Sequence, residues 1–221
     1  MAKNEEAKVD VNEELTATEG FFDQNKKFLI IGGVSIVVIV LGIFGYKKLV
    51  SDPKVAESHD AYWNAFYEYQ NNDTSTLAYT GNEYFEGFES LAADYDGTPG
   101  GEIANYAMAT HAMDSSDWDG ALEYLDACDF EDIMIANLVT GMKGDCYVEK
   151  GEYETAVDLF VEAAHREENE FTSPMFLKKA GIVYEALNDY DSAEKMYREI
   201  KEKWEGTEEA GDIDKYIARV E

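Results

Sequence analysis

The run SSDWDG, from Ser115 to Gly120, comes nearest in spacing to a metal-binding motif. With Asp126 after it, the run approximates the calcium loop D-x-[DN]-x-[DN]-G…E, in which several oxygen ligands surround a hard cation. The match is poor, because the first ligand would be the hydroxyl of Ser115 and the last would be Asp126, one methylene shorter than Glu. The same residues fit the tight turn between two helices, so we interpret the run as a turn and predict no metal site.

Histidine and cysteine side chains offer no clearer chemistry. His59, His111 and His165 are scattered, without the spacing of metal ligands and without a nucleophile near them in sequence. Cys128 and Cys146 fall on adjacent predicted helices, where a disulfide is possible but two buried free thiols are the expected state. The sequence has no glycine-rich phosphate loop and no G-x-S-x-G motif. We therefore predict a protein that is not an enzyme and needs no cofactor.

The overall charge narrows the range of partners. The chain of 221 residues carries a formal net charge of −29, nearly all of it after residue 48. This argues against nucleic acid, because binding phosphates requires basic side chains, and against a domain that lies flat on anionic lipid. The acidity is either a solvated surface or a preference for basic segments of a partner, and the sequence leaves both open.

The strongest hydrophobic signal is an uncharged run of nineteen residues from Phe28 to Tyr46. A helix of this length covers about 28 Å, close to the ~30 Å of a bilayer's hydrocarbon core. A long acidic leader precedes the run and no small-residue cleavage site follows it, which favours a permanent anchor over a signal peptide or a buried core helix. We predict a transmembrane helix within residues 25–50. Its membrane-spanning side chains would be Phe28, Leu29, Ile30, Ile31, Val34, Ile36, Val37, Val38, Ile39, Val40, Leu41, Ile43 and Phe44.

Residue patterns predict further segments on both sides of the anchor. Residues 1–24 are acidic, and we expect them to be mostly disordered, with a weak amphipathic helix before the anchor. Residues 51–101 are predicted to form a degenerate first helix pair, which starts at Ser51-Asp52-Pro53 and carries an aromatic core stripe. A polar break would follow Gln70, and the second helix of this pair would cover about 82–95.

Residues 102–207 repeat a pattern of small and large side chains. In frames that begin near Glu102, Asn137 and Pro174, small residues recur at offsets 8 and 20 and a large residue recurs at offset 24. The three sets are Ala109, Ala121 and Leu125; Gly144, Ala156 and Phe160; and Gly181, Ala193 and Tyr197. Small residues let two antiparallel helices approach closely, and the large residue fills the gap. The pattern resembles tetratricopeptide (TPR) repeats, helix pairs of 34 residues that stack into a solenoid.

The fold predicted from these segments is all-α. A single N-terminal transmembrane helix is followed by a TPR-type α-solenoid of antiparallel helix pairs, with three TPR-like repeats in residues 102–207. The amphipathic segment 208–221 is predicted to be a C-terminal capping helix.

The resemblance to TPR arrays also implies a binding surface, because the first helix of each pair lines a concave groove there. The implied partner-binding residues are Ile103, Tyr106, Met113, Leu138, Asp145, Val148, Glu149, Met175, Lys178, Ile182 and Glu185, with Thr110, Asp114, Gly141 and Ala186 at related offsets. This mixture of apolar and acidic side chains suits an extended or helical segment that carries apolar residues and some Lys or Arg. The alternative is that the groove merely packs against the first helix pair or the capping helix.

The whole layout resembles the bacterial YfgM-like family of membrane-anchored TPR proteins. The resemblance rests on the acidic leader, the single anchor, Tyr46-Lys47-Lys48 before a proline-started helix, the TPR units and the final DIDKYI from Asp212 to Ile217. It implies a single-pass protein of the bacterial inner membrane, with the N-terminus in the cytoplasm and the TPR domain in the periplasm. Lysines on both sides of the apolar run give no independent signal of topology.

The same resemblance implies protein partners and no small-molecule substrate. Members of the family are ancillary to the SecYEG translocon and work with the membrane-anchored chaperone PpiD, so nascent secreted chains are possible clients. The alternative function is an adaptor subunit of another cell-envelope secretion or outer-membrane assembly complex.

Overall fold

A computed structural model describes residues 11–71 and 76–221, and every regular element within these ranges is helical. The predicted all-α class is therefore confirmed. The chain divides into two compact units, Met1–Pro53 and Lys54–Glu221, which are described separately. Residues 1–10, the start of the predicted disordered segment, lie outside the described residues.

The N-terminal unit consists of one long helix, α1 (Val11–Tyr46), followed by a π-helical segment (Lys47–Ser51). Residues 11–24 are helical, where the sequence predicts mostly disorder with a weak helix, and extending an existing helix is far less costly than nucleating one. The described large apolar side chains of residues 28–44 are exposed, from 56% for Val37 to 78% for Phe28.

The predicted membrane span is not found. Among the residues described, no helix combines the length and the hydropathy that crossing a membrane requires. Three of the predicted spanning residues, Leu29, Ile30 and Val34, have side chains outside those that the structure describes. The transmembrane helix therefore stays a prediction.

The second unit begins with one long helix and two short ones. They are α2 (Asp52–Asn71), α3 (Leu77–Thr80) and α4 (Phe88–Asp94). The predicted second helix over 82–95 is wrong in its first half, and α3 occupies part of the predicted polar break. Residues 82–87 form a loop, because the side chain of Asn82 accepts the backbone N–H groups of Tyr84 and Phe85 at 2.7 and 3.3 Å. Gly81 enters this loop with a φ of 70°, which favours glycine.

Three helix pairs follow in regular order. They are α5 (Pro99–Asp114) with α6 (Trp118–Asp126), α7 (Ile133–Glu149) with α8 (Tyr153–His165), and α9 (Thr172–Ala186) with α10 (Tyr190–Lys203). The two helices of each pair pack against each other. Between pairs, α6 packs on α7 and α8 packs on α9. This order of packing is consistent with a solenoid.

The same turn joins the two helices of each pair. Its central residue has a left-handed backbone, and these residues are Ser116, Gly151 and Asn188, with φ of 60°, 76° and 61°. The next residue donates its backbone N–H to a carbonyl five positions earlier, at 2.8 to 2.9 Å in all three turns. This hydrogen bond ends the first helix and lets the chain reverse. The three turns fall at the same offset, 15, in the three frames of the sequence pattern.

The turn between α5 and α6, whose sequence resembles a calcium loop, is the first of these three turns. The carboxylate of Asp117 accepts the backbone N–H of Gly120 at 3.1 Å and caps the start of α6. Asp189 accepts the N–H of Ser192 at 3.2 Å in the equivalent place before α10. The acidic residue is thus explained by helix capping.

Aromatic rings pack directly on helical glycines. A Cβ atom added to Gly181 would lie 2.3 Å from the ring of Tyr197, and one added to Gly144 would lie 2.7 Å from the ring of Phe160. Ala109, Ala121, Ala156 and Ala193 are completely buried. The repeated small residues therefore lie where they allow the ring of the second helix to reach the backbone of the first.

The chain ends on the last pair. A 3₁₀ turn (Glu209–Asp212) leads into α11 (Ile213–Val220), which packs on α10 and buries Ile213 and Ile217. These two residues join the hydrophobic core formed by α8, α9 and α10.

Both cysteines are free thiols, Cys146 buried and Cys128 half-buried. Burial disfavours the thiolate and raises the pKa of Cys128 to about 12 and that of Cys146 to about 11. The expected free state agrees with the structure.

Gly181→Ala tests the contact between ring and glycine. We expect a net loss of about 1–2 kcal/mol in the free energy of unfolding, because a Cβ atom 2.3 Å from a buried ring costs the upper part of the ~1–3 kcal/mol of overpacking while alanine's helix propensity returns about 1 kcal/mol. Gly211→Ala is the matched control, since an added Cβ there meets nothing within 4 Å. Urea denaturation followed by circular dichroism measures both. A Gly181→Ala variant as stable as the control would contradict the packing described here.

Candidate partner-binding site

An open cavity of about 290 Å³ lies among the first four helices of the second unit. We call it the aromatic cavity. Its lining residues are Tyr62, Phe66, Tyr69, Tyr79, Phe88, Ile103, Tyr106, Ala107, Thr110 and Asp114. Four of them, on α5, belong to the groove implied by the TPR resemblance: Ile103, Tyr106, Thr110 and Asp114. The structure thus places this part of the predicted site at an accessible cavity.

The wall of the cavity is a connected series of aromatic rings. Tyr62 lies 5.5 Å from Phe66 and 6.5 Å from Phe88, measured between ring centroids. Tyr79 lies 5.9 Å from Phe88 and 6.1 Å from Tyr69. Tilted and edge-to-face rings at these distances attract each other. The wall is therefore held in part by contacts among the same rings that line it.

Tyr79 is also fixed from α5. The imidazole of His111 stacks on its ring, with centroids 4.0 Å apart and an angle of 17° between the planes. His111, one of the three histidines of the sequence, thus supports the wall of the cavity. Among the described residues it does not belong to a group of metal-binding side chains.

The aromatic residues of α2 form only part of the core stripe that the sequence predicts, because Tyr62 and Phe66 alone pack half-buried against the core of α2 to α5. Only Ser58 and Ala65 are buried on this helix, whereas Trp63, Tyr67 and Tyr69 are 38%, 55% and 45% exposed. One signal was present in the sequence: at 100° per residue the five aromatic residues of α2 spread over about 160°, which is wide for a single buried stripe. The sequence pattern did not show where α3 and α4 lie. These two helices leave part of the aromatic face of α2 uncovered.

The apolar groove residues of the later pairs lie in packed surroundings. Leu138, Val148 and Met175 pack against the core of α8 to α11, and Met113 packs against the core of α5 to α7. At the position of Gly141, an added Cβ would overlap the ring of Phe176. Three side chains at these later groove positions, Glu149, Ile182 and Ala186, are exposed, and Ile182 lines a smaller pocket of about 230 Å³ with Met175 and Lys178.

Three of the four charged groove residues of the later pairs, Asp145, Lys178 and Glu185, are already paired. Each ion pair joins residues 34 positions apart, and the pairs are Asp145 with Lys179, Lys178 with Asp212, and Glu185 with Arg219, at 2.7, 2.7 and 2.5 Å. These side chains connect successive elements and do not project toward a free partner. Toward the C-terminus, the alternative in which the groove packs against the capping segment fits the structure better.

Glu185 lies at the centre of the last of these pairs. Burial opposes its ionisation, but hydrogen bonds from Arg219 and from the hydroxyl of Tyr197, at 2.5 Å each, outweigh burial and lower the pKa of Glu185. The pKa of Asp212 is lowered in turn by the hydrogen bond from Lys178. Both carboxylates are stabilised in the charged form by partners on neighbouring elements.

One group of residues in the described part of the chain has the geometry to hold a metal ion. The candidate ligand atoms of His165, Glu168 and Glu199 lie within 4.8 Å of one another. Lys203 contacts both glutamates, at 2.9 and 3.0 Å, and His165 bonds Glu199 at 3.0 Å. These contacts supply the positive charge that a cation would bring, so the group is explained by the packing of α8 and α10.

Comparison with known proteins adds no identification to this geometry. The chain matches no protein-family model, no curated protein and no solved structure. The site is therefore interpreted from its own residues, and the likeness to YfgM-like proteins stays a resemblance of motifs and layout.

Arg219→Met tests the paired groove residues. The substitution keeps much of the aliphatic stem and removes the charge beside Glu185, so we expect a loss of about 1 kcal/mol in the free energy of unfolding near neutral pH. Because the folded pKa of Glu185 is lowered from its ordinary 4.5, the contribution is present above that value and is lost as the pH falls through the folded pKa. Urea denaturation should be measured from neutral pH to below 4.5. The difference in the free energy of unfolding between the variant and the parent protein should become smaller as the pH falls.

Lys201→Met is the control for this experiment. Lys201 pairs with Asp214, and both side chains are more than half exposed, so its loss should change stability less. An Arg219→Met effect that stays constant as the pH falls well below 4.5 would show that lost packing, and not lost charge, is responsible.

Proposed function

We propose that this chain is a non-enzymatic scaffold, anchored in a membrane, that binds another polypeptide at the aromatic cavity. The proposal rests on the cavity. Its aromatic side chains hold one another in place, and the cavity that they line is open to solvent. Aromatic side chains contribute large contact areas and dominate the energetics of many interfaces. Stacked helix pairs commonly present such extended binding surfaces.

The anchor is proposed from the apolar run of α1. Its described side chains expose large apolar surfaces over successive helical turns, with Ile36, Leu41, Ile43 and Phe44 each 64% exposed. Continuous apolar surface of this extent is rare on soluble monomers and usually meets lipid or protein. The length of the run supports lipid as the environment. An anchor would also raise the effective concentration of the binding domain at the membrane, so that weak contacts suffice.

The more specific proposal follows from the resemblance to YfgM-like proteins. The chain would be a subunit ancillary to the SecYEG translocon in the bacterial inner membrane, with the helix pairs in the periplasm. There it would work with a PpiD-like chaperone on proteins that emerge from the translocon. The helical solenoid and the open cavity support a role in binding polypeptides, and the choice of Sec partners rests on the resemblance alone.

Two arginines in the apolar run test the anchor. Replacing Ile36 and Val40 together by Arg should cost about 5–7 kcal/mol of membrane insertion. We expect the parent chain to sediment with membranes and to resist alkaline carbonate, and the double variant to be released. The double variant Lys47→Arg with Lys48→Arg, which adds no charge, is the control. A parent chain that carbonate releases would contradict the proposed anchor.

Co-purification tests the partner. The intact chain, solubilised in mild detergent and captured by a C-terminal tag, should retain SecYEG or a PpiD homologue from the cell that expresses it. A chain whose aromatic cavity is blocked by Ala107→Trp should retain less, and Ile182→Asp, outside the cavity, should retain as much as the parent. Consistent absence of both partners would contradict the specific proposal. Recovery of another envelope complex would favour the alternative adaptor function.

A further inference from the structure

The aromatic cavity lies in a part of the chain that contains neither Lys nor Arg. From residue 55 to residue 142 the sequence contains eighteen Asp and Glu and no Lys or Arg. All ten lining residues of the cavity fall between 62 and 114. The stretch of chain that builds the cavity therefore carries a net negative charge, which favours a cationic ligand.

The rest of the second unit distributes its charge differently. Of the eleven Lys and Arg residues after 142, nine form ion pairs with Asp or Glu. Two of these pairs reach back to α6, where Lys143 contacts Asp126 and Lys150 contacts Asp119, both at 2.6 Å. In the described residues no such partner contacts Asp114. A carboxylate without an ion-pair partner thus lies at a cavity whose other polar groups are uncharged.

The lining itself suits a cation. Four tyrosine and two phenylalanine rings surround the cavity, and the negative face of an aromatic ring attracts an ammonium or guanidinium group. The protein already uses this combination elsewhere. Lys178 lies over the ring of Tyr216, 4.6 Å from its centroid, and pairs with Asp212 at 2.7 Å. Within the described residues, the aromatic cavity offers the rings and a carboxylate, and no Lys or Arg pairs with that carboxylate, Asp114.

We propose that the aromatic cavity binds a Lys or Arg side chain of the polypeptide partner, with the cation against the tyrosine rings and paired with Asp114. This inference rests on the proposed function and names the chemistry that the partner must carry. The volume of about 290 Å³ is at the lower end for small-molecule pockets, ~300–1,000 Å³, and suits one long side chain with an apolar neighbour. Ile103 and Ala107 provide the apolar contact for that neighbour.

The test is calorimetric titration of the full chain in detergent with defined peptides. The probe is acetyl-Ser-Leu-Arg-Leu-Ser-amide, and its matched partner carries citrulline, which has nearly the shape of Arg without its charge. We expect the Arg peptide and its Lys counterpart to bind at least about 5-fold more tightly than the citrulline peptide. Raising the salt concentration should weaken binding of the charged peptides and leave the citrulline peptide unchanged. Equal affinity for Arg and citrulline would overturn the proposal.

Matched variants locate the binding. Tyr69→Leu removes one lining ring and keeps an apolar side chain, and should weaken binding of the Arg peptide about 3- to 10-fold. Tyr67→Leu on the same helix, where the side chain does not line the cavity, should leave the affinity unchanged. Asp114→Asn should weaken binding about 2- to 5-fold, and Asp158→Asn, also exposed but on α8, should not. Equal effects of each variant and its control would overturn the assignment.

Two further results separate this inference from the proposed function. Choline chloride is the small-cation probe, and tighter binding of choline than of the Arg peptide would replace the polypeptide assignment with a small-molecule site. If the intact chain retains its partners while Tyr69→Leu and Asp114→Asn leave the yield unchanged, the inference fails and the proposed function stands. If the Arg peptide binds selectively but no protein partner is retained, the chemistry of the cavity stands and the proposed function fails. Circular dichroism of each variant confirms that it is folded.

Discussion

The structure of the second unit depends on how closely a ring can approach a helix backbone. Tyr197 lies on Gly181 and Phe160 on Gly144, so the two helices of each of these two pairs are held at a separation that any larger residue would increase. Because protein interiors are close-packed, such contacts define one register between neighbouring helices. Phe160 then stacks on Phe176 of the next pair, 6.1 Å away. The same register brings Glu185 to Arg219 and Lys178 to Asp212.

This register separates the implied groove into two parts. Toward the C-terminus, α11 and the 3₁₀ turn before it supply partners for the charged groove positions, and the hydrophobic core takes the apolar ones. Toward the N-terminus, α3 and α4 are short, and α5 faces an open space lined by rings from α2. A binding surface thus remains where helix packing is least regular. Binding residues often lie where a rigid scaffold leaves a less regular segment exposed.

The distribution of charge reinforces this separation. The Lys and Arg residues lie before residue 55 or after residue 142, and most of those after residue 142 are paired within the solenoid. Among the described residues between 55 and 142, most acidic side chains form no ion pair with Lys or Arg, and this region contains the aromatic cavity. An acidic protein of this kind gains solubility from its charge. The same charge, next to partly exposed tyrosine rings, also supports the proposal that the partner brings Lys or Arg.

Much of this architecture could be predicted from the sequence, because it depends on local rules. Left-handed turn residues such as Gly151 and Asn188, capping residues such as Asp189, and small residues at a constant offset act over a few positions, so their pattern is visible in the chain. The candidate site could be predicted only in part: Ile103 and Tyr106 were found, but the rings of α2 were expected in the core. Which face of an amphipathic helix becomes buried depends on what packs against it, and an interruption as small as the Asn82 loop decides that. The sequence therefore determined the helices and their pairing, while the tertiary structure decided which predicted groove residues pair within the chain and which remain open to a partner.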